Sequence, residues 1–191
     1  SRGLGDVYKR QEPETAELLL SKCTTFLTNY CLELKKQGIQ GVVLAEPAAG
    51  LMSNDGCCEF SSRYIKKIVD AVQDETFIVI LHNCGNAGHC TDAMVKTGSK
   101  AYHFGNNIDM VEALKECPDN RLVMGNIDPV SLFQQASPME LENAVIKLLK
   151  ETANYRNFIL SSGCDVPPHT SHVNIEAFYG ALDKYNRTVI Q

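Results

Sequence analysis

The chain has no excess of positive charge: 18 lysines and arginines stand against 23 acidic residues, a net charge of -5 over 191 residues. Its basic side chains are scattered rather than striped, which counts against nucleic acid as the main partner. Long hydrophobic runs are also missing. None approaches the roughly 18 apolar residues of a membrane span, and no signal peptide heads the chain, so a membrane is not expected as a partner. No internal repeat or low-complexity segment interrupts the sequence. Residues 46–50, after the first expected strand, read Glu-Pro-Ala-Ala-Gly. That is not the Gly-x-Gly-x-x-Gly phosphate loop that marks a doubly wound dinucleotide-binding sheet. Arg63, Arg121, Arg156 and Arg187 do not cluster after strands, so no basic pocket is expected.

The composition that is present, 44% hydrophobic and 21% charged, is that of a domain with one sizeable core. Eight cysteines invite a disulfide reading, but a chain with strong strand and helix patterning does not need staples. The expected compartment is reducing, hence cytoplasmic. Residues 1–11 have no apolar periodicity and read as a non-native leader; residues 12–191 carry the fold.

A helical pattern over 13–36 comes first, stopped by Gly38. Five strand-then-helix units follow, with strands over 41–46, 76–81, 101–104, 122–127 and 158–162. Helices are expected over 59–72, 91–97, 109–117, 139–153 and 173–185, with a short one after Asp128-Pro129. Asp109 serves as an N-cap, and Ser137, Pro138 and Glu140 open the 139–153 helix as a capping box. Regular β-α alternation predicts a parallel sheet with helices outside. The fold class is therefore α/β, the C-terminal part of a (β/α)8 barrel with its first strands missing. A five-stranded open sheet is the rival.

In such a barrel the active site lies on the loops after the strands, and the chemically interesting residues lie there: Glu46, His82, Cys84, His103, Asn126, Asp128 and Cys164. The strand at 76–81 runs into His82 and Cys84, two positions apart and so on one face. Cys164 ends a comparable run at 158–162. One imidazole and two thiols with a coordination position left open would be a catalytic rather than a structural zinc arrangement. The competing reading is a satisfied strand-end histidine and two ordinary buried thiols.

Three stretches then suggest a family: Leu-His-Asn-Cys-Gly-Asn at 81–86, Met-Gly-Asn-Ile-Asp-Pro at 124–129, and Ser-Gly-Cys-Asp-Val-Pro-Pro at 162–168 followed by Asn174. Together they resemble the uroporphyrinogen decarboxylase superfamily, and within it the corrinoid-dependent methyltransferases that methylate coenzyme M. The resemblance implies zinc on His82, Cys84 and Cys164, because the methyltransferase branch binds zinc there and the decarboxylase branch uses no metal. It also implies a methylated corrinoid protein (a methylcobamide carrier) as methyl donor and partner, and a small thiol such as coenzyme M as acceptor. An acidic residue that often follows the next strand in that branch is replaced here by Gly-Asn-Asn at 105–107, leaving water or Glu46 for the open position. The family chain is longer than this one at its amino-terminal side.

Glu46 and Asp128 are candidate orienting groups, with helix capping or loop hydrogen bonding as the competing role. Asn86, His103 and Asn126 are candidate substrate contacts. The alternatives to methyl transfer are metal-free decarboxylation of a tetrapyrrole and a non-catalytic zinc-binding module. Cys57 and Cys58 read as surface thiols, Cys90 as a helix start, and Cys23, Cys31 and Cys117 as core or half-buried fillers. If the sheet is part of a barrel, Val42, Leu44, Ile159 and Leu160 are the side chains expected to lack neighbours.

Overall fold

The computed structural model describes residues 12–189; the proposed leader at 1–11 lies outside the described residues. Helix α1 (Pro13–Lys36) precedes strand β1 (Gly41–Ala45). After it come α2 (Asn54–Cys57), a wide π-type turn at Cys58–Ser62, and α3 (Arg63–Val72). Then β2 (Ile78–Asn83), α4 (Thr91–Val95), β3 (Ala101–Phe104), α5 (Met110–Glu116) and β4 (Leu122–Ile127) alternate. A second wide turn at Pro129–Gln134, α6 (Pro138–Glu151), β5 (Phe158–Ser162) and α7 (His172–Val189) close the described chain. Among the described residues no helix is long and apolar enough to cross a membrane.

All five strands are parallel and lie in the order β1-β2-β3-β4-β5. A doubly wound sheet reverses its strand order at a switch point; this one never does. Consecutive winding in one direction is how a (β/α)8 barrel wall is built, so the fold is α/β with five consecutive strands of such a wall.

Strand alternation divides the sheet into two faces. Val79, Leu81, Tyr102, Phe104, Val123 and Ile127 point outward and join one apolar cluster with Ile68, Val72, Leu114, Leu141, Val145 and Phe178 of the helices. Each such side chain fully withdrawn from water stabilises the fold by about 1.5–3 kcal/mol. The inner face is open, with Val43 58% and Ile159 37% exposed. Of the four residues expected to lack neighbours, only Ile159 does so. Val42, Leu44 and Leu160 have the other parity and pack against the outer cluster, and Val43 and Ala45 are the uncovered residues of β1.

Some boundaries differ from expectation for identifiable reasons. β2 starts at Ile78 rather than Thr76, because the Asp74 carboxylate accepts the backbone N–H groups of Thr76 and Phe77 at 2.8 and 3.1 Å and holds them in a turn. It runs on through Asn83 because the pairing with β3 continues to Asn83 beside Phe104. The expected helix over 59–72 is divided: α2 starts upstream at the cap Ser53, whose Oγ accepts Gly56 N–H at 3.2 Å, and the wide turn separates it from α3. The caps at Asp109 and Ser137 form as expected, Ser137 with Glu140 as a full capping box.

Candidate metal centre

His82 and His103 are neighbours in the β2–β3 register, so both imidazoles stand on the inner face, with ring centroids 4.5 Å apart. The Nδ1 of His82 lies 3.1 Å from the His103 carbonyl oxygen. A carbonyl can only accept, so Nδ1 carries the proton and Nε2 keeps its lone pair. That Nε2 is buried and has no hydrogen-bond partner. An orphaned buried nitrogen is costly, unless a ligand uses it.

Cys84 and Cys164 supply what would use it. Their sulfurs and the imidazole nitrogen of His82 all lie within 4.8 Å of one another. Zinc bonds of about 2.3 Å to sulfur and about 2.0 Å to nitrogen span such a triangle after a small contraction. A metal-bound histidine ordinarily donates its second ring N–H to a carbonyl or carboxylate, which is what His82 does here. The residues therefore fit a zinc ion, and they bring soft and borderline donors suited to it. Burial raises the Cys84 thiol pKa, and the neighbouring Cys164 raises it further. Without a cation Cys84 is thus disfavoured as a thiolate.

Two glycines let these ligands converge. A Cβ on Gly105 would sit 2.6 Å from the Cys84 carbonyl oxygen, and one on Gly163 would sit 2.7 Å from the Asn106 nitrogen. The loops after β2, β3 and β5 meet backbone to backbone at these points, so any larger residue would push the Cys84 or Cys164 loop away. Cys84 itself lies in the turn just past β2, one residue beyond the strand end.

The three ligands open into a cleft of about 490 Å³ that is also lined by Val43, Ala45, Pro47, His103, Ser162, Asp165 and Val166. Of the other residues proposed from sequence, only His103 reaches it. Burial lowers its pKa, against a hydrogen bond from its ring to the Ser162 carbonyl that acts the other way.

Glu46 lies one residue past the end of β1 and borders the cavity between α1 and β1 instead. Its carboxylate accepts a hydrogen bond from Ser61 Oγ, and burial raises its pKa, partly offset by that bond. Asp128 caps the turn at Pro129–Gln134, accepting Val130 and Ser131 N–H at 2.8 and 2.9 Å, and also accepts from Asn106 Nδ2 at 2.9 Å. Asn126 donates to the Gly105 and Ile108 carbonyls at 3.0 and 2.7 Å and ties down the loop after β3. Asn86 is wholly buried; its Oδ1 accepts Gly88 and Cys90 N–H and its Nδ2 donates to Thr91 Oγ1. The geometry thus brings together His82, Cys84, Cys164 and His103, and leaves Glu46, Asn86, Asn126 and Asp128 in hydrogen bonds outside the cleft.

Sequence reasoning passed over Ser162 and Asp165, although both flank the Gly-Cys pair of the 162–168 motif. It also misplaced Cys57, which is wholly buried beside Cys90 in a small cluster with Ala49 and Ala93. Burial pushes that thiol up to about 12, so it is an inert core thiol and not a surface one.

The uroporphyrinogen decarboxylase (URO-D) family model matches residues 6–185. The methylcobamide:CoM methyltransferase MtbA of Methanosarcina acetivorans is 26% identical, over 90% of this chain and 50% of its own length. A uroporphyrinogen decarboxylase of Prochlorococcus marinus is 32% identical, over 95% of this chain and 51% of its own. Among solved structures, a methyltransferase from Methanosarcina mazei superimposes with a TM-score of 0.76 at 19% identity, covering 85% of this chain and 47% of that one. That likeness concerns the fold. The chain spans about half the length of the curated relatives it matches.

Proposed function

Because this chain belongs to the uroporphyrinogen decarboxylase family and gathers one imidazole nitrogen and two thiols within 4.8 Å at the mouth of its barrel wall, we propose that it is the zinc-binding part of a corrinoid-dependent methyltransferase. His82, Cys84 and Cys164 hold the zinc. A methylated corrinoid protein supplies the methyl group, and a small thiol such as coenzyme M accepts it.

The observation that carries this reading is the bare, buried Nε2 of His82, left without a partner on an imidazole that has a nitrogen within 4.8 Å of two thiols. Similarity alone does not choose, since methyltransferases and decarboxylases match this chain at comparable identity. The chemistry of the donor set favours the first. Zinc bound there would hold an acceptor thiol as its thiolate at neutral pH. The chain's own residues do the rest. Cys84 and Cys164 offset the metal charge, and the His103 carbonyl fixes the tautomer that presents Nε2. The cleft lined by Val43, Pro47 and Val166 gives the acceptor a place beside the three ligands. In the overall exchange a sulfur–carbon bond forms, the carbon–cobalt bond of the donor breaks with its electron pair going to cobalt, and the thiol proton leaves to solvent.

Tetrapyrrole decarboxylation calls for cations facing the substrate carboxylates. Arg121 and Arg156 precede β4 and β5, at the end of the sheet opposite the cleft, and Arg63 pairs with Glu17 at 2.7 Å on the outer helices. The free state of the cysteines in the described structure is in keeping with a reducing, cytoplasmic setting.

The test supplies zinc-loaded protein with a methylated corrinoid and coenzyme M and follows formation of the methyl thioether. The expected result is turnover that falls at least ~10-fold in Cys164→Ser, as loss of a ligand predicts. Zinc-independent decarboxylation of uroporphyrinogen would overturn the reading in favour of the alternative. Zinc uptake with no thioether would reduce the protein to a binding module.

A further inference from the structure

We infer that His103 is a positioning residue of the metal centre, a side chain that, beside the loop contacts at Gly105 and Gly163, holds the gap between the His82–Cys84 pair at the end of β2 and Cys164 beyond β5. The inference rests on the metal reading above.

β3 and β5 are not neighbours, because β4 lies between them. Backbone pairing therefore cannot fix the distance from the end of β2 to the end of β5 directly; it accumulates the twist and flexibility of three successive strand pairs. His103 shortens that path. Its Nε2–H donates to the Ser162 carbonyl at 2.7 Å, with Ser161 Oγ as a more distant neighbour at 3.3 Å. The imidazole thus crosses the inner face over β4 and grips β5 two residues before Cys164. On its other side the same ring packs on His82 with centroids 4.5 Å apart and planes at 33°, and its backbone carbonyl accepts the His82 Nδ1–H. One residue accordingly touches the imidazole ligand through both ring and carbonyl, and the Cys164 strand through its side chain.

Two features make a histidine suitable. The ring is rigid, so its reach from strand to carbonyl varies little. It also has a donor at the far end, whereas a phenyl ring has the face without the donor and an amide has the donor without the face. Groups that orient metal ligands in this way typically contribute 10–100-fold in metal affinity.

The experiment compares His103→Phe, which keeps a ring beside His82 but cannot donate to Ser162, with His103→Gln, which keeps a donor but loses the ring. Zinc affinity is measured by competition with a chromophoric chelator. Cobalt(II) is then substituted, and its thiolate-to-metal charge-transfer band reports how many sulfurs are bound. Thermal melting of each metal-free protein reports the fold separately. The expected result is a 10–100-fold loss of zinc affinity in His103→Phe, with a weakened sulfur band and little change in metal-free melting, and partial recovery of both in His103→Gln. If His103→Phe does not fold, His103→Gln alone decides, through an affinity at least several-fold below wild type with a perturbed cobalt spectrum. Wild-type affinity and spectrum in the folded variants would overturn the positioning role while leaving the metal centre standing. A wild-type protein that takes up neither zinc nor cobalt would remove the metal centre, and this role with it.

Discussion

The two faces of the sheet come from the same strands, alternate residues going to each, yet they differ in almost every physical respect. The outer face is dry: Val79, Leu81, Tyr102 and Val123 are fully buried under the helices. The inner face is open, with Val43 and Ile159 exposed to water. At its strand ends it carries an orphaned imidazole nitrogen, two thiols free of disulfides and a histidine reaching across a strand. One face supplies the packing that makes the fold. The other is left unsatisfied at the strand ends, where barrel enzymes place their chemistry. Stability and chemistry are thus divided by residue parity along each strand, and substitutions of one parity should leave the other largely untouched.

The largest effect is expected on the inner side. Replacing Cys84 or Cys164 by Ser should remove most bound zinc, because a hard hydroxyl takes the place of a thiolate in a site with three protein ligands. The melting temperature of the metal-free protein should hardly move. Metal analysis and calorimetry on the same samples check both halves, and unchanged zinc in both variants would sink the site.

Next comes the outer face. Leu81→Ala, one residue before His82 but pointing the other way, should cost about 2–5 kcal/mol in unfolding free energy, as deletion of a wholly buried Leu side chain does. Zinc stoichiometry in the folded fraction should stay at the wild-type level. Urea titration with metal analysis tests this, and loss of zinc in parallel with stability would show that the faces are not independent.

Gly105→Ala should act between the two. Its Cβ would meet the Cys84 backbone at 2.6 Å, so the ligand loop must shift. A loss of about 1–3 kcal/mol in stability is expected, on the scale of overpacking, together with weaker zinc binding. Zinc binding as tight as wild type would mean that the loop tolerates the shift.

The smallest effect belongs to Asp128, whose carboxylate caps the turn after β4. Burial would raise its pKa, but the backbone N–H groups of Ser131 and Val130 outweigh it and hold the value below the ordinary range. A carboxylate depressed in the folded state stabilises the fold above its unfolded pKa, about 3.9, and loses that contribution as pH falls through the lower folded value. Asp128→Ala should therefore cost about 1 kcal/mol near neutrality, as lost caps do, with the deficit shrinking toward pH 3. A deficit independent of pH would assign the effect to packing rather than to the charge.

The parallel sheet, its helices and the caps at Asp109 and Ser137 were legible in the sequence because they rest on local signals: β-α alternation and capping residues at fixed spacing. The grouping of His82, Cys84 and Cys164 was legible for a related reason, since each lies at or within two residues of a strand end and the motif around each is short. What escaped depended on contacts between distant loops. Nothing in the sequence around Gly105 says that Cys84 will press against it, and nothing near His103 says that its ring will find a carbonyl on β5. Nothing in the sequence says that the Glu46 carboxylate, expected as an orienting group, will take its hydrogen bond from Ser61, fifteen residues on. Cys57 was misjudged because a glycine-containing loop is not necessarily a surface loop; here it folds into α2 and packs against Cys90.

Zinc X-ray absorption on the purified protein distinguishes a zinc centre on the inner face from a set of idle strand-end residues. The expected result is one zinc per chain with two sulfur neighbours at about 2.3 Å and one imidazole nitrogen at about 2.0 Å, plus a light atom in the remaining position. A protein that takes up no zinc, or whose zinc shows no sulfur in its shell, would contradict it.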